Sequence, residues 1–245
     1  MTFVALSGLP RTGSTLLSAI LSQNPEIHSE GHSAVCQLMW DAHVSCESGW
    51  AKKAIASSLR KDFQKHLVKA IPDVYYKNVT AKHIVDKSRS WTLPANVEML
   101  RRYITDDPKI IVLVRPVEDI VQSFRDLRKR NGLSPGSEEE MWMPDTEPLT
   151  RPLAGVDYAK EHNSGEYLFV EFSDFMRDPK TTVSRIYDFC GWEKFEHWFT
   201  GIKKSHNEDE SVWEIPNLHE VRETIKNDTV LKKFFCTEGL EVVGV

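Results

Sequence analysis

Gly8-Leu9-Pro10-Arg11-Thr12-Gly13-Ser14-Thr15 follows the short apolar run Phe3 to Ser7 and precedes Leu16, Leu17, Ile20 and Leu21, which recur at helical spacing. The segment reads as strand, turn and helix. Its glycines sit at the spacing of a phosphate loop, G-x-x-x-x-G-K-[ST], in which backbone amides converge on phosphate oxygens at a helix N-terminus. Gly8, Gly13 and Thr15 fit that pattern, and Ser14 stands where the lysine belongs. In a nucleotide triphosphatase that lysine reaches the β- and γ-phosphates. Its replacement argues against ATP or GTP hydrolysis, while Arg11 returns a cation from inside the loop.

Outward from the loop, the chain alternates strands and helices. Helical patterns cover roughly 33–45 and 51–70, His83 to Asp86 reads as a short buried strand, and Pro94 to Tyr103 as helix. Lys109 to Val114 (KIIVLV) is a continuous apolar run of the kind that suits a parallel strand buried on both faces. Pro116 sits where proline suits the first turn of a helix, and Val117, Ile120, Val121, Phe124 and Leu127 form that helix's apolar stripe. A further strand at Tyr167 to Phe172 precedes a helix from about Lys180 to Cys190. The predicted class is α/β, a three-layer α/β/α arrangement with a P-loop-type parallel sheet flanked by helices. Residues 1–245 are expected to form one domain, interrupted by a long acidic loop at about 131–152.

Composition narrows the function classes. Of 245 residues, 31 are Lys or Arg and 36 are Asp or Glu, a formal charge of −5, and 40% are hydrophobic, enough for a sizeable core. This balance disfavours a general nucleic-acid-binding surface. The excess lies in residues 134–150, which hold five carboxylates and no Lys or Arg. Cys36, Cys46, Cys190 and Cys236 show no paired short spacing, so a reduced, cytoplasmic setting is expected. No signal-like n-region and no apolar run of membrane-spanning length is present.

A second anion site is suggested by Arg115, directly after the KIIVLV strand, and by Ser123 in the following helix. Ligands of open α/β sheets bind beyond the carboxyl ends of strands, which is where Arg115 falls.

Taken together, GLPRTGSTLL, VDKSRSW at 85–91, IIVLVRPVEDIVQSF at 110–124 and YLFVEFSDFMRDP at 167–179 resemble sulfotransferases that use 3′-phosphoadenosine 5′-phosphosulfate (PAPS). The likeness is greatest to tyrosylprotein sulfotransferases and related bacterial or phage enzymes. The resemblance implies that Pro10, Arg11, Thr12, Gly13, Ser14 and Thr15 embrace the 5′-phosphosulfate, with Arg11 as the catalytic loop cation. It implies that Arg115 and Ser123 grip the 3′-phosphate and that Lys87 lies near the transferring sulfuryl group. The product would be adenosine 3′,5′-bisphosphate, and the acceptor a hydroxyl or amine, on a peptide tyrosine or a small molecule.

Sulfuryl transfer requires charge stabilisation and a base for the acceptor proton, and needs no metal. The base candidates lie in His28-Ser29-Glu30-Gly31-His32. Ungapped counting from Arg11 places His32 opposite the glutamate of the tyrosylprotein branch, and a small shift places Glu30 there. Glu30 is the slightly preferred base, His32 the open alternative and His28 a third candidate. Alternate residues in a loop do not make the helix-borne H-E-x-x-H arrangement, so no metal is expected. Trp213 is a candidate for stacking on adenine, lining the acceptor pocket or packing in the core; core or interface packing is assumed for Trp40, Trp91, Trp142 and Trp198, and a homodimer is a further expectation. The competing functions are a P-loop nucleotide or small-molecule kinase, and a nucleotide-binding protein of the same fold without turnover.

Overall fold

The computed structural model describes residues 2–134, 136, 149–204, 212, 218, 219, 221 and 225. Residues 137–148, which hold the carboxylates of the acidic stretch and Trp142, lie outside the described residues, as do Trp213 and Cys236.

Five strands, β1 (Thr2–Gly8), β2 (Ile27–Ser29), β3 (His83–Lys87), β4 (Lys109–Val114) and β5 (Tyr167–Glu171), form one sheet in the order β2-β3-β1-β4-β5. Every pairing is parallel. Parallel strands need crossovers, and the connecting helices cover both faces, so alternate residues of each strand enter two different cores. Ala5, Ile84, Ile110 and Val112 pack with Val35, Met39, Val97 and Ile120 on one side. Val4, Leu6, Ile111 and Leu113 pack with Leu17, Ile20, Phe175 and Ile186 on the other. The three-layer expectation holds.

The helices are α1 (Ser14–Leu21), α2 (Val35–Glu47), α3 (Gly49–Ser57), α4 (Phe63–Tyr75), α5 (Pro94–Met99), α6 (Val117–Arg130), α7 (Thr150–Glu161), α8 (Phe172–Arg177) and α9 (Pro179–Cys190). Several boundaries differ from the sequence pattern. The single helix expected over 51–70 is two, broken where Leu59 adopts φ 56°. The helix from Pro94 ends at Met99 and continues as a π-turn over Leu100–Ile104. Pro116 caps α6 from just outside instead of entering its first turn. Phe172 opens α8, and α7 begins at Thr150, inside the stretch expected to be loop. β2 was not anticipated, because three residues carry too little alternation to register.

Trp91 is fully buried in the core, whereas Trp40 and Trp198 are 37% and 57% exposed, which leaves the core alternative to Trp91 alone among the three. Cys36, Cys46 and Cys190 are unpaired thiols. No helix among the described residues is long and apolar enough to cross a membrane.

Candidate active site

β1, β3 and β4 are adjacent, and the strand order changes direction at β1, so the segments leaving their carboxyl ends converge. Gly8 makes this convergence possible. Its φ is 117°, and a Cβ there would lie 2.0 Å from the carbonyl oxygen of Leu113 on β4. Only glycine permits that approach. The next residue seals it, since the Leu9 amide donates to the same Leu113 carbonyl at 2.9 Å.

The loop then turns into α1. Thr12 is buried and its hydroxyl donates to the Leu9 carbonyl at 2.7 Å, bracing the turn from within. Gly13 caps α1 in the left-handed region at φ 79°. The first amides of a helix have no intrahelical acceptor, and the helix end carries partial positive charge. Arg11 adopts φ 58°, a conformation that costs a non-glycine residue about 1 kcal/mol or more. Contacts on three sides hold it there. Its Nε donates to Ser123 Oγ at 3.2 Å, its Nη1 donates to the Leu218 carbonyl at 2.7 Å, and its own carbonyl accepts from Arg115 Nη1 at 3.0 Å.

Arg115 leaves the end of β4, and its guanidinium lies over the Phe172 ring at 4.3 Å, a cation–π contact with the first residue after β5. Lys87 ends β3 and is buried. The following turn, Arg89–Thr92, is tied to β1 because the Ser88 amide donates to Leu6 and the Ser7 hydroxyl donates to the Arg89 carbonyl, both at 3.0 Å.

These segments enclose a cleft of about 780 Å³ including its open mouth. Pro10, Arg11, Gly13, Ser14, Thr15, Lys87, Arg115 and Ser123 all line it, so eight residues singled out from the sequence come together. Thr12 does not, since its side chain is spent inside the loop. Sequence reasoning missed Arg89, Phe172 and His219, which also line the cleft. Among its described lining residues are four cations and no carboxylate. Arg89 lies only two residues beyond Lys87, but nothing in the sequence announces that the turn after β3 bends it inward.

The base candidates separate. His32 packs against His219 with ring centroids 3.9 Å apart. Burial, then the charges of Lys87, His219, Arg89 and Lys204, push His32 down to about 2. His32 is therefore a neutral imidazole at the edge of the cation cluster. Neither His32 nor Glu30 is itself among the residues that line the cleft; His32 meets it through His219, which does, while Glu30 Oε1 pairs with His28 Nε2 at 2.8 Å beside the edge strand β2. No group of three or more His, Cys, Asp or Glu side chains among the described residues is placed to hold a metal ion.

The donor set fits a ligand that carries more than one anionic group. Arg11 is bonded to both Ser123 and Arg115, and the charges of Lys87 and Arg89 act on His32.

A model described as the sulfotransferase family matches residues 4–197. No curated protein matches the chain. Among solved structures, the sulfotransferase domain of the Synechococcus PCC 7002 olefin synthase shares 24% identity at a TM-score of 0.59, covering 97% of this chain and 88% of that one. The sulfotransferase domain from the curacin biosynthetic pathway shares 15% identity at 0.54, covering 98% and 93%. The sulfotransferase from Alicyclobacillus acidocaldarius shares 17% identity at 0.54, covering 86% and 87%. At these identities the structures establish a common fold.

Proposed function

This chain belongs to the sulfotransferase family, and on that premise we propose that it moves a sulfuryl group from PAPS to an acceptor hydroxyl or amine by in-line transfer. The observation that carries the choice of donor is the cleft wall: four cations from the ends of three adjacent strands, with the α1 N-terminus between them and no carboxylate among the described lining residues. Such a wall suits a ligand bearing several anionic groups.

In this reading Arg115 and Ser123 hold the 3′-phosphate. The amides of residues 13–15 and the loop cation Arg11 face the 5′-phosphosulfate, and Lys87 and Arg89 neutralise charge at the reacting end. Preorganised donors of this kind are worth most where charge develops in the transition state. Ser14 supplies a hydroxyl in place of the phosphate-loop lysine, which suits a sulfuryl donor better than a γ-phosphate.

His32 is the proposed base. Its ring packs on His219, a cleft-lining residue, and it feels the charges of Lys87 and Arg89, whereas Glu30 is paired with His28. Burial is the largest cause of its suppressed basicity; the smaller share due to Lys87 and Arg89 is what a bound anion would neutralise, so donor binding raises the imidazole's affinity for the acceptor proton by that share. Glu30 is assigned to orienting the turn through His28. The reading also includes a single domain over residues 1–245, a cytoplasmic setting in which Cys36, Cys46 and Cys190 stay reduced, and a reaction independent of metal.

The test is transfer of labelled sulfate from PAPS, with chelator present, to a panel of tyrosine peptides, small alcohols, carbohydrates and amines. Wild-type protein should label at least one class, His32→Asn should lose most of that turnover, and Glu30→Gln should retain more. The reverse order of the two variants would move the base to Glu30.

A further inference from the structure

Asp86 lies one residue before Lys87 on β3 and is fully buried. Its Oδ2 accepts from Ser33 Oγ at 2.5 Å and from the Tyr76 hydroxyl at 2.7 Å, and its Oδ1 accepts from Trp91 Nε1 at 2.6 Å. Three donors directed at two oxygens are the pattern of an ionised carboxylate, an acceptor-only group. Burial pushes its carboxyl up and outweighs the bonds from Ser33, Tyr76 and Trp91 that favour the charged form, so the net direction is upward and those three donors are what holds the charge in place. A buried charge is seldom the most stabilising way to fill a core, because an apolar residue of similar volume avoids the desolvation cost. Its placement therefore calls for a role beyond packing.

The three partners differ in what they belong to. Tyr76 caps α4 and Trp91 sits in the turn after β3, both within the packed core. Ser33 belongs to the turn between β2 and α2, directly after His32, and its Oγ also accepts from the Val35 amide at 3.0 Å. One carboxylate thus joins the strand end that delivers Lys87 to the turn that delivers His32. Lys87 is in turn held in register opposite Leu6 of β1, the strand that leads into the phosphate-type loop.

We infer that Asp86 is a positioning residue for sulfuryl transfer: through Ser33 it holds the turn bearing His32 at a fixed distance from Lys87. This rests on the roles proposed above for His32 and Lys87. It touches neither donor nor acceptor and acts through the relative placement of base and cation, where a shift of about 1 Å can cost about a hundredfold in rate.

The inference is tested by comparing variants at two ends of the same carboxylate. Ser33→Ala should lower kcat by about tenfold to a hundredfold, with the affinity for adenosine 3′,5′-bisphosphate essentially unchanged because Arg11, Arg115 and Ser123 are untouched. Ser33→Thr restores the hydroxyl and should recover most of the loss. Tyr76→Phe removes a donor from the same Asp86 oxygen without touching the turn, and should lower the thermal midpoint while leaving kcat near wild type. Unchanged kcat in Ser33→Ala, or losses of kcat in Ser33→Ala and Tyr76→Phe that simply follow their thermal midpoints, would reduce Asp86 to a packing residue. A wrong donor assignment looks different, since transfer from PAPS would then be absent from wild type as well.

Discussion

Arg115 donates from Nη1 to the main-chain carbonyl of Arg11 at 3.0 Å, so the cation leaving β4 is bonded to the loop leaving β1. The contact makes Arg115 a brace for the loop as well as a ligand candidate. Arg115→Ala should therefore weaken adenosine 3′,5′-bisphosphate by more than one lost phosphate contact. A hydrogen bond to a charged group contributes about 1.5–3 kcal/mol, so a loss of at least about tenfold to a hundredfold is expected by calorimetry.

Arg11→Ala should depress both turnover and bisphosphate affinity. The sequence alone assigns Arg11 to the transferring group, which would affect mainly turnover. The structure puts its guanidinium on Ser123 and the Leu218 carbonyl, so its removal also disturbs the Arg115–Ser123 end and releases the segment at Leu218 and His219. Single-turnover rates measured beside equilibrium binding check this; a purely kinetic defect would show that the Ser123 contact is incidental.

Gly8→Ala should destabilise the protein severely. The added methyl meets the Leu113 carbonyl at 2.0 Å, a backbone atom that cannot step aside, and φ 117° is strained for any side chain. A loss of more than about 4 kcal/mol, or failure to fold, is the expected outcome in denaturant unfolding.

Acidification should destabilise the fold through His32. Its folded value lies far below the ordinary 6.5, so the unfolded chain binds a proton there that the folded chain does not. That contribution is whole above about pH 6.5 and is lost progressively as pH falls toward 2. His32→Asn removes it, so the drop in thermal midpoint between pH 7 and pH 5 should be smaller in the variant than in wild type.

The fold and most of the cation-lined wall were legible in the sequence because both are local. A glycine-spaced loop between strand and helix, and an arginine directly after a six-residue apolar strand, place Arg11 and Arg115 without knowledge of tertiary contacts. Residues whose position depends on a turn escaped. Arg89 and His219 reach the cleft through bends that have no sequence signature, and β2 is too short to show alternation. Glu30 and His32 could not be separated by counting, because the difference arises from the His28 contact and the ring of His219. Asp86 stood inside the quoted VDKSRSW segment together with one of its donors, Trp91, but the other two, Ser33 and Tyr76, come from distant stretches of chain.

The central claim is that the cation-lined cleft binds a 3′,5′-bisphosphorylated adenosine without a metal. Calorimetric titration with adenosine 3′,5′-bisphosphate in chelator, beside ATP with magnesium, tests it most directly. The bisphosphate should bind more tightly, and Arg115→Ala should abolish or strongly weaken that binding. Tighter binding of magnesium ATP, or bisphosphate binding indifferent to Arg115→Ala, would contradict the claim.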